Sequence, residues 1–174
     1  ASSIMVGERI LDAVSTSGAF LMLGYHKRSD PAVEWAHEAI AELRASRSLG
    51  DLTYIRILMP AGDWIAHGFD ELIVEDDPAP ALDLDPVPQD ESETRRAEYV
   101  AFVNYYIHQV NLMRYLLGES YRPVFADRGG KMLVAESDSG VTCTIEMSPY
   151  RTTVDWQEEI LVAFEGGWIK IALP

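Results

Sequence analysis

Glu159-Ile-Leu-Val-Ala-Phe-Glu-Gly-Gly-Trp-Ile-Lys-Ile-Ala-Leu-Pro174 closes the chain and sets the reading of what precedes it. Two β-prone runs, Glu159–Phe164 and Trp168–Leu173, flank the pair Gly166-Gly167, which predicts a terminal hairpin. Upstream, Val141–Met147, Lys131–Glu136 and Pro123–Asp127 have the same character. Asp138-Ser-Gly140 and Arg128-Gly-Gly130 separate them as turns. The final third of the chain therefore reads as a meander of antiparallel strands.

Before the meander the period changes. Glu93–Leu117 is the longest helix expected. Residues 3–17 read as a helix with Ser2 or Ser3 as cap, and Gly18 ends it. Asp30-Pro31 opens another, with Asp at the N-cap and Pro at the first helical position, and it ends near Gly50. Leu52–Met59 alternates as a strand, and Phe20–Tyr25 reads as a short buried strand. Helices on one side and a run of strands on the other predict an α+β fold. Its sheet is open and mostly antiparallel, with helices packed on one face. Residues 1–174 read as a single domain, an ordinary size for one.

The stretch 70–94 stands apart. It holds ten acidic and no basic residues, with Pro78, Pro80, Pro86 and Pro88. Such a composition buries little surface and reads as an acidic, Pro-rich loop within the domain, with a lid as the other reading. The whole chain carries 14 Lys+Arg against 28 Asp+Glu, a net charge of −14. That surface repels phosphate backbones and anionic membranes, so neither nucleic acid nor membrane is an expected partner. No basic n-region precedes an apolar h-region, and the lone Cys143 sits in the strand-like Val141–Ile145. A buried, inert thiol and a cytoplasmic location are expected.

The chemistry concentrates on Asn104-Tyr-Tyr-Ile-His-Gln-Val-Asn-Leu-Met-Arg-Tyr-Leu-Leu-Gly118. Asn104, His108, Asn111 and Tyr115 are spaced to stack on one helix face, flanked by Ile107, Val110, Leu112, Met113 and Leu116. A metal site is disfavoured because Asn is a poor transition-metal ligand. General acid/base work suits a His near pH 7 with a side-chain amide one turn away. Against it stands the plain reading of a satisfied histidine. Of the others, His26 ends an apolar run, His37 reads as a solvated residue of the second helix, and His67, just after a strand, reads as a loop residue, with a place facing a pocket as the other reading.

Four segments resemble the Gfo/Idh/MocA oxidoreductases. Phe20-Leu-Met-Leu-Gly-Tyr-His-Lys-Arg-Ser-Asp-Pro-Ala32 is similar to the segment after their nucleotide domain. Leu49-Gly-Asp-Leu-Thr-Tyr-Ile55 resembles their Gly-x-hydrophobic strand start. Ile107–Gly118 resembles their His-bearing helix, and Ala163–Ile171 their closing hairpin. The resemblance implies a dihydrodipicolinate reductase-like C-terminal domain that binds substrate and dimerises, since no Gly-x-Gly-x-x-Gly follows a strand here. It also implies an NAD(P)-dependent oxidoreductase acting on a sugar, polyol or related hydroxyl or carbonyl compound. NAD or NADP would be bound mainly by an N-terminal Rossmann domain outside this chain. His108 takes the position of the family's acid/base histidine. Asn104 stands where the family's Asp-x-x-x-His carries its Asp. His26, Lys27 and Arg28 would line the substrate side, and Asn111 with Asn104 would orient His108 or the substrate. The open sheet face would join two copies.

Asn104 also supports an alternative reading, a non-catalytic binding or scaffold protein of the same fold. A further reading is an unrelated α+β enzyme with the acidic segment as lid.

Overall fold

Ser3 and Asp30 set the starts of two helices. The computed structural model describes residues 3–62, 77–78, 81, 92–147, 150–152 and 156–173. In it α1 runs Ile4–Ser17, α2 Pro31–Ser46 and α3 Glu93–Leu117. Ser3 Oγ accepts from the Val6 amide at 3.3 Å, and Asp30 Oδ1 from the Ala32 amide at 2.9 Å. Each satisfies an amide that a helix start leaves without a partner. Gly18 closes α1 in the left-handed conformation at φ 67°. Helix α2 stops at Ser46, short of Gly50. Arg47 turns left-handed at φ 53° and its amide closes on the Leu43 carbonyl.

Among the described residues eight strands follow these helices or lie between them. They are β1 (Leu52–Leu58), β2 (Ala61–Gly62), β3 (Tyr121–Ala126), β4 (Met132–Ser137), β5 (Thr142–Glu146), β6 (Arg151–Thr152), β7 (Glu158–Phe164) and β8 (Gly167–Leu173). Six form one sheet in the order β3-β4-β5-β1-β7-β8, and β2 pairs with β6 apart from it. Four of the five pairings in the large sheet are antiparallel; β1 and β5 run parallel. The expected α+β class with an open, mostly antiparallel sheet is thus the fold observed. In the terminal hairpin Glu165-Gly166 make the turn, and Gly167 already pairs with Phe164, one residue earlier than expected.

The chain divides into two compact units. One comprises 1–24 and 73–107, the other 25–72 and 108–174. The second holds the whole sheet and its core. Across neighbouring strands Ala135, Cys143, Ile55, Val162 and Ile169 make one row on the core face. Leu133, Ile145, Ile57, Ile160 and Ile171 make the next. Helix α2 adds buried Val33, Ala36 and Ile40, and the last turns of α3 add Leu112, Met113, Leu116 and Leu117. Arg44 Nη1 donates to the Leu117 carbonyl at 2.6 Å, tying α2 to the end of α3.

The first unit holds α1 and the opening turns of α3. There Tyr106 packs against Phe102 and Tyr105, and burial pushes its phenol up to about 12. Phe20–Tyr25 is not the buried strand that its apolar run predicted. It has no regular structure, and Phe20 is 89 % exposed. Both sides of β1 are filled by β5 and β7, so the run has no ladder there. A short apolar run cannot by itself be told from other apolar segments.

His67 and most of the acidic stretch 70–94 lie outside the described residues; Asp77, Pro78, Ala81 and Ser92 are described, and Glu93 begins α3. Among the described residues no helix is long and apolar enough to cross a membrane.

Candidate active site

One short segment and one helix make the site in the second unit. His26–Ser29 forms a single 3-10 turn just before α2. Its amides at Arg28 and Asp30 close on the carbonyls of Tyr25 and Lys27. Three consecutive side chains, His26, Lys27 and Arg28, then leave the turn in different directions.

His26 is exposed. Its ring meets that of His108 edge-on, with centroids 4.4 Å apart, and Tyr25 lies edge-on at 6.5 Å. His108 is half-buried, and Nδ1 is shut off from solvent without a hydrogen-bond partner among the described residues. Burial, foremost, and then the nearby His26 and Lys27 hold its pKa below the ordinary value; Glu158 opposes them. A histidine kept neutral near pH 7 can accept a proton and return it.

Arg28 turns along α3. Its Nε donates to Asn111 Oδ1 at 2.5 Å, and its guanidinium lies over Tyr115 at 5.0 Å and Tyr25 at 5.7 Å. The Asn111 carbonyl oxygen is thereby engaged by Arg28. Tyr115 also stacks on His37, centroids 4.1 Å apart. His37 is therefore a packed residue with a buried Nδ1, not the solvated one expected of it. Its helix position alone could not reveal that Tyr115 would cover it.

Lys27 points inward. Its Nζ lies 2.6 Å from Glu158 Oε2, with the lysine side chain 15 % exposed and the glutamate 0 %. Gln109 Nε2 donates to the other carboxylate oxygen, Oε1, at 2.8 Å, and Lys27 also lies over the Trp156 ring at 5.5 Å.

The structure thus brings His26, Lys27, Arg28, His108 and Asn111 together. Asn104 is exposed, on α3 one turn before His108, and belongs to the first unit. Sequence reading missed Gln109 and Glu158, though both carry a signal. Gln109 precedes Leu112, Met113 and Leu116 at three, four and seven positions, the spacing of a core face. Glu158 extends the inward alternation of Ile160, Val162 and Phe164 by one step.

Cys143 is buried, as expected, and burial pushes its thiol up to about 11, far from a reactive thiolate. Among the described residues no group of three His, Cys, Asp or Glu could hold a metal ion. Nor does a glycine-rich turn lead from a strand into a helix: α2 opens on Asp30-Pro31 and α3 on Glu93. The described residues offer no cradle for a dinucleotide pyrophosphate.

No family model matches the sequence, and no curated protein matches it. Solved structures do match its fold. The WlbA dehydrogenase of Bordetella pertussis, solved with NADH and UDP-GlcNAcA, is similar with a TM-score of 0.64 at 16 % identity, over 99 % of this chain and 48 % of its own. The probable dehydrogenase of Thermotoga maritima gives 0.64 at 18 % identity, over 99 % and 47 %. The myo-inositol dehydrogenase of Lactobacillus casei, solved with NAD(H) and myo-inositol, gives 0.62 at 13 % identity, over 98 % and 45 %. The chain spans about half the length of these structures. Its fold is that of the C-terminal α+β domain of such dehydrogenases.

Proposed function

We propose that this chain is the substrate-binding and dimerisation domain of an NAD(P)-dependent oxidoreductase of the Gfo/Idh/MocA type. Its substrate is a sugar, polyol or related hydroxyl or carbonyl compound. The observation that carries the reading is the half-buried His108, kept neutral and set edge-on to the exposed His26.

His108 takes the hydroxyl proton as the alcohol is oxidised and returns it on reduction. His26 and Arg28 face the substrate hydroxyls, while Asn111 fixes Arg28. Lys27 serves the substrate side through its neighbour His26. A nicotinamide held by a separate nucleotide-binding domain would supply the hydride acceptor or donor. A second copy covers the open sheet face, where Trp168 is 70 % exposed beside strands of mixed apolar and charged side chains. The fold likeness to dehydrogenases solved with inositol and a nucleotide sugar supports the substrate class. The single cysteine is consistent with a cytoplasmic protein.

Asn104 favours a second reading, a scaffold that has lost turnover, because an amide cannot take up charge as a carboxylate does. The two part on one assay. The full-length gene product is mixed with NADH or NADPH and nucleotide fluorescence is followed, then polyols and sugars are offered with NAD or NADP. Binding with turnover of at least one polyol or sugar supports the oxidoreductase. Absence of nucleotide binding overturns it in favour of the scaffold.

A further inference from the structure

A carboxylate with no exposed surface sits at the start of β7, on the face otherwise filled by Ile160, Val162 and Phe164. Burying a charge costs several kcal/mol unless it is fully paired, and an apolar trio of similar volume would pack at no such cost. Packing alone does not explain a charge at this position.

The partners indicate that role. Glu158 Oε2 takes Lys27, the neighbour of His26 in the 3-10 turn. Oε1 takes Gln109, the neighbour of His108 on α3. One carboxylate therefore grips the residue adjacent to each of the two histidines. We propose that Glu158, Lys27 and Gln109 are positioning residues that clamp the 3-10 turn and α3 to β7. The clamp fixes the edge-on contact of His26 with His108.

An ion pair with a directed amide bond sets register where a greasy contact would allow the turn to slide. The functional consequence rests on His108 as the acid/base group proposed above; the clamp itself is a statement about geometry. The groups facing His108 are His26, Lys27 and Tyr25 from the turn and its flank, and Glu158 from β7.

The test is side-chain NMR of the histidines in the intact protein, parent against Lys27→Met/Glu158→Gln. The double variant leaves no unpaired buried charge, so it is expected to fold. The expected result is loss of the Overhauser contact between the His26 and His108 rings, which lie edge-on in the parent.

Lys27→Arg is read in parallel. It keeps a cation on Glu158, and with it the fold, but its wider head displaces the turn and weakens the same contact. A folded variant of either kind that keeps the ring contact overturns the proposal. Because none of this needs turnover, a failed clamp and a failed acid/base assignment give separate results. The first leaves the His108→Ala loss of activity intact, and the second leaves the ring contact intact.

Discussion

The two faces of the large sheet are made from alternate residues of the same strands, yet they treat charge in opposite ways. On the open face charges pair across neighbouring strands. Arg56 makes two bonds to Glu146 at 2.8 and 2.9 Å, and Lys170 reaches Glu159 at 3.1 Å. Tyr54 and Thr144 share a hydrogen bond at 2.6 Å beside them. On the core face the central rows are aliphatic apart from Cys143, and the charge is Glu158 at the end, where the 3-10 turn and α3 reach it. Water can solvate the open-face partners if one is lost. It cannot reach Glu158. Charge on the open face is thus ordinary surface chemistry, whereas charge on the core face is tolerated only beside a counter-charge.

The largest effect should come from breaking the core-face pair. Lys27→Met alone leaves Glu158 buried and unpaired, and should cost about 3–5 kcal/mol in urea unfolding. Trimming the core face without touching charge is milder: Ile160→Val should cost about 0.5–1.5 kcal/mol, read the same way.

Acid also separates the faces. His108 titrates lower in the fold than in the unfolded chain, because burial disfavours its charged form. Below about pH 6.5, where an unfolded histidine takes up its proton, the unfolded state binds more protons and His108 withdraws stability as pH falls. The withdrawal is complete once pH lies below the folded value. His108→Phe should flatten that part of the stability profile, measured by unfolding between pH 7 and 5. A slope equal to the parent's would contradict the depressed value. The smallest effect belongs to the open face. Arg56→Met should change stability by about 1 kcal/mol or less, since partly solvated pairs contribute little.

Local signals in the sequence carried far. Helix α3 falls on the residues expected, Glu93–Leu117, and Asp30-Pro31 caps α2 as its chemistry demands. The terminal hairpin is legible because its strands are adjacent in the chain. What the sequence hides is non-local. The parallel pairing of β1 with β5 joins segments some ninety residues apart, Tyr54 to Thr142, with no local motif to announce it. Phe20–Tyr25 has the apolar residues of a strand but no free ladder to join.

The site divides along the same line. Helical spacing placed His108, Asn111 and Tyr115 on one face, and the structure finds all three meeting groups from the 3-10 turn or α2. That His37 would stack on Tyr115, and that Lys27 would turn inward to Glu158, depends on contacts between distant elements. Only folding brings those elements together.

His108 is the group proposed to move the proton. The measurement is turnover of the full-length His108→Ala variant against the parent, with the polyol or sugar and nicotinamide cofactor that the parent accepts. A fall of about 10²–10⁴-fold in kcat, with the fold intact by circular dichroism, is the predicted result. Unchanged turnover in a folded variant would contradict it.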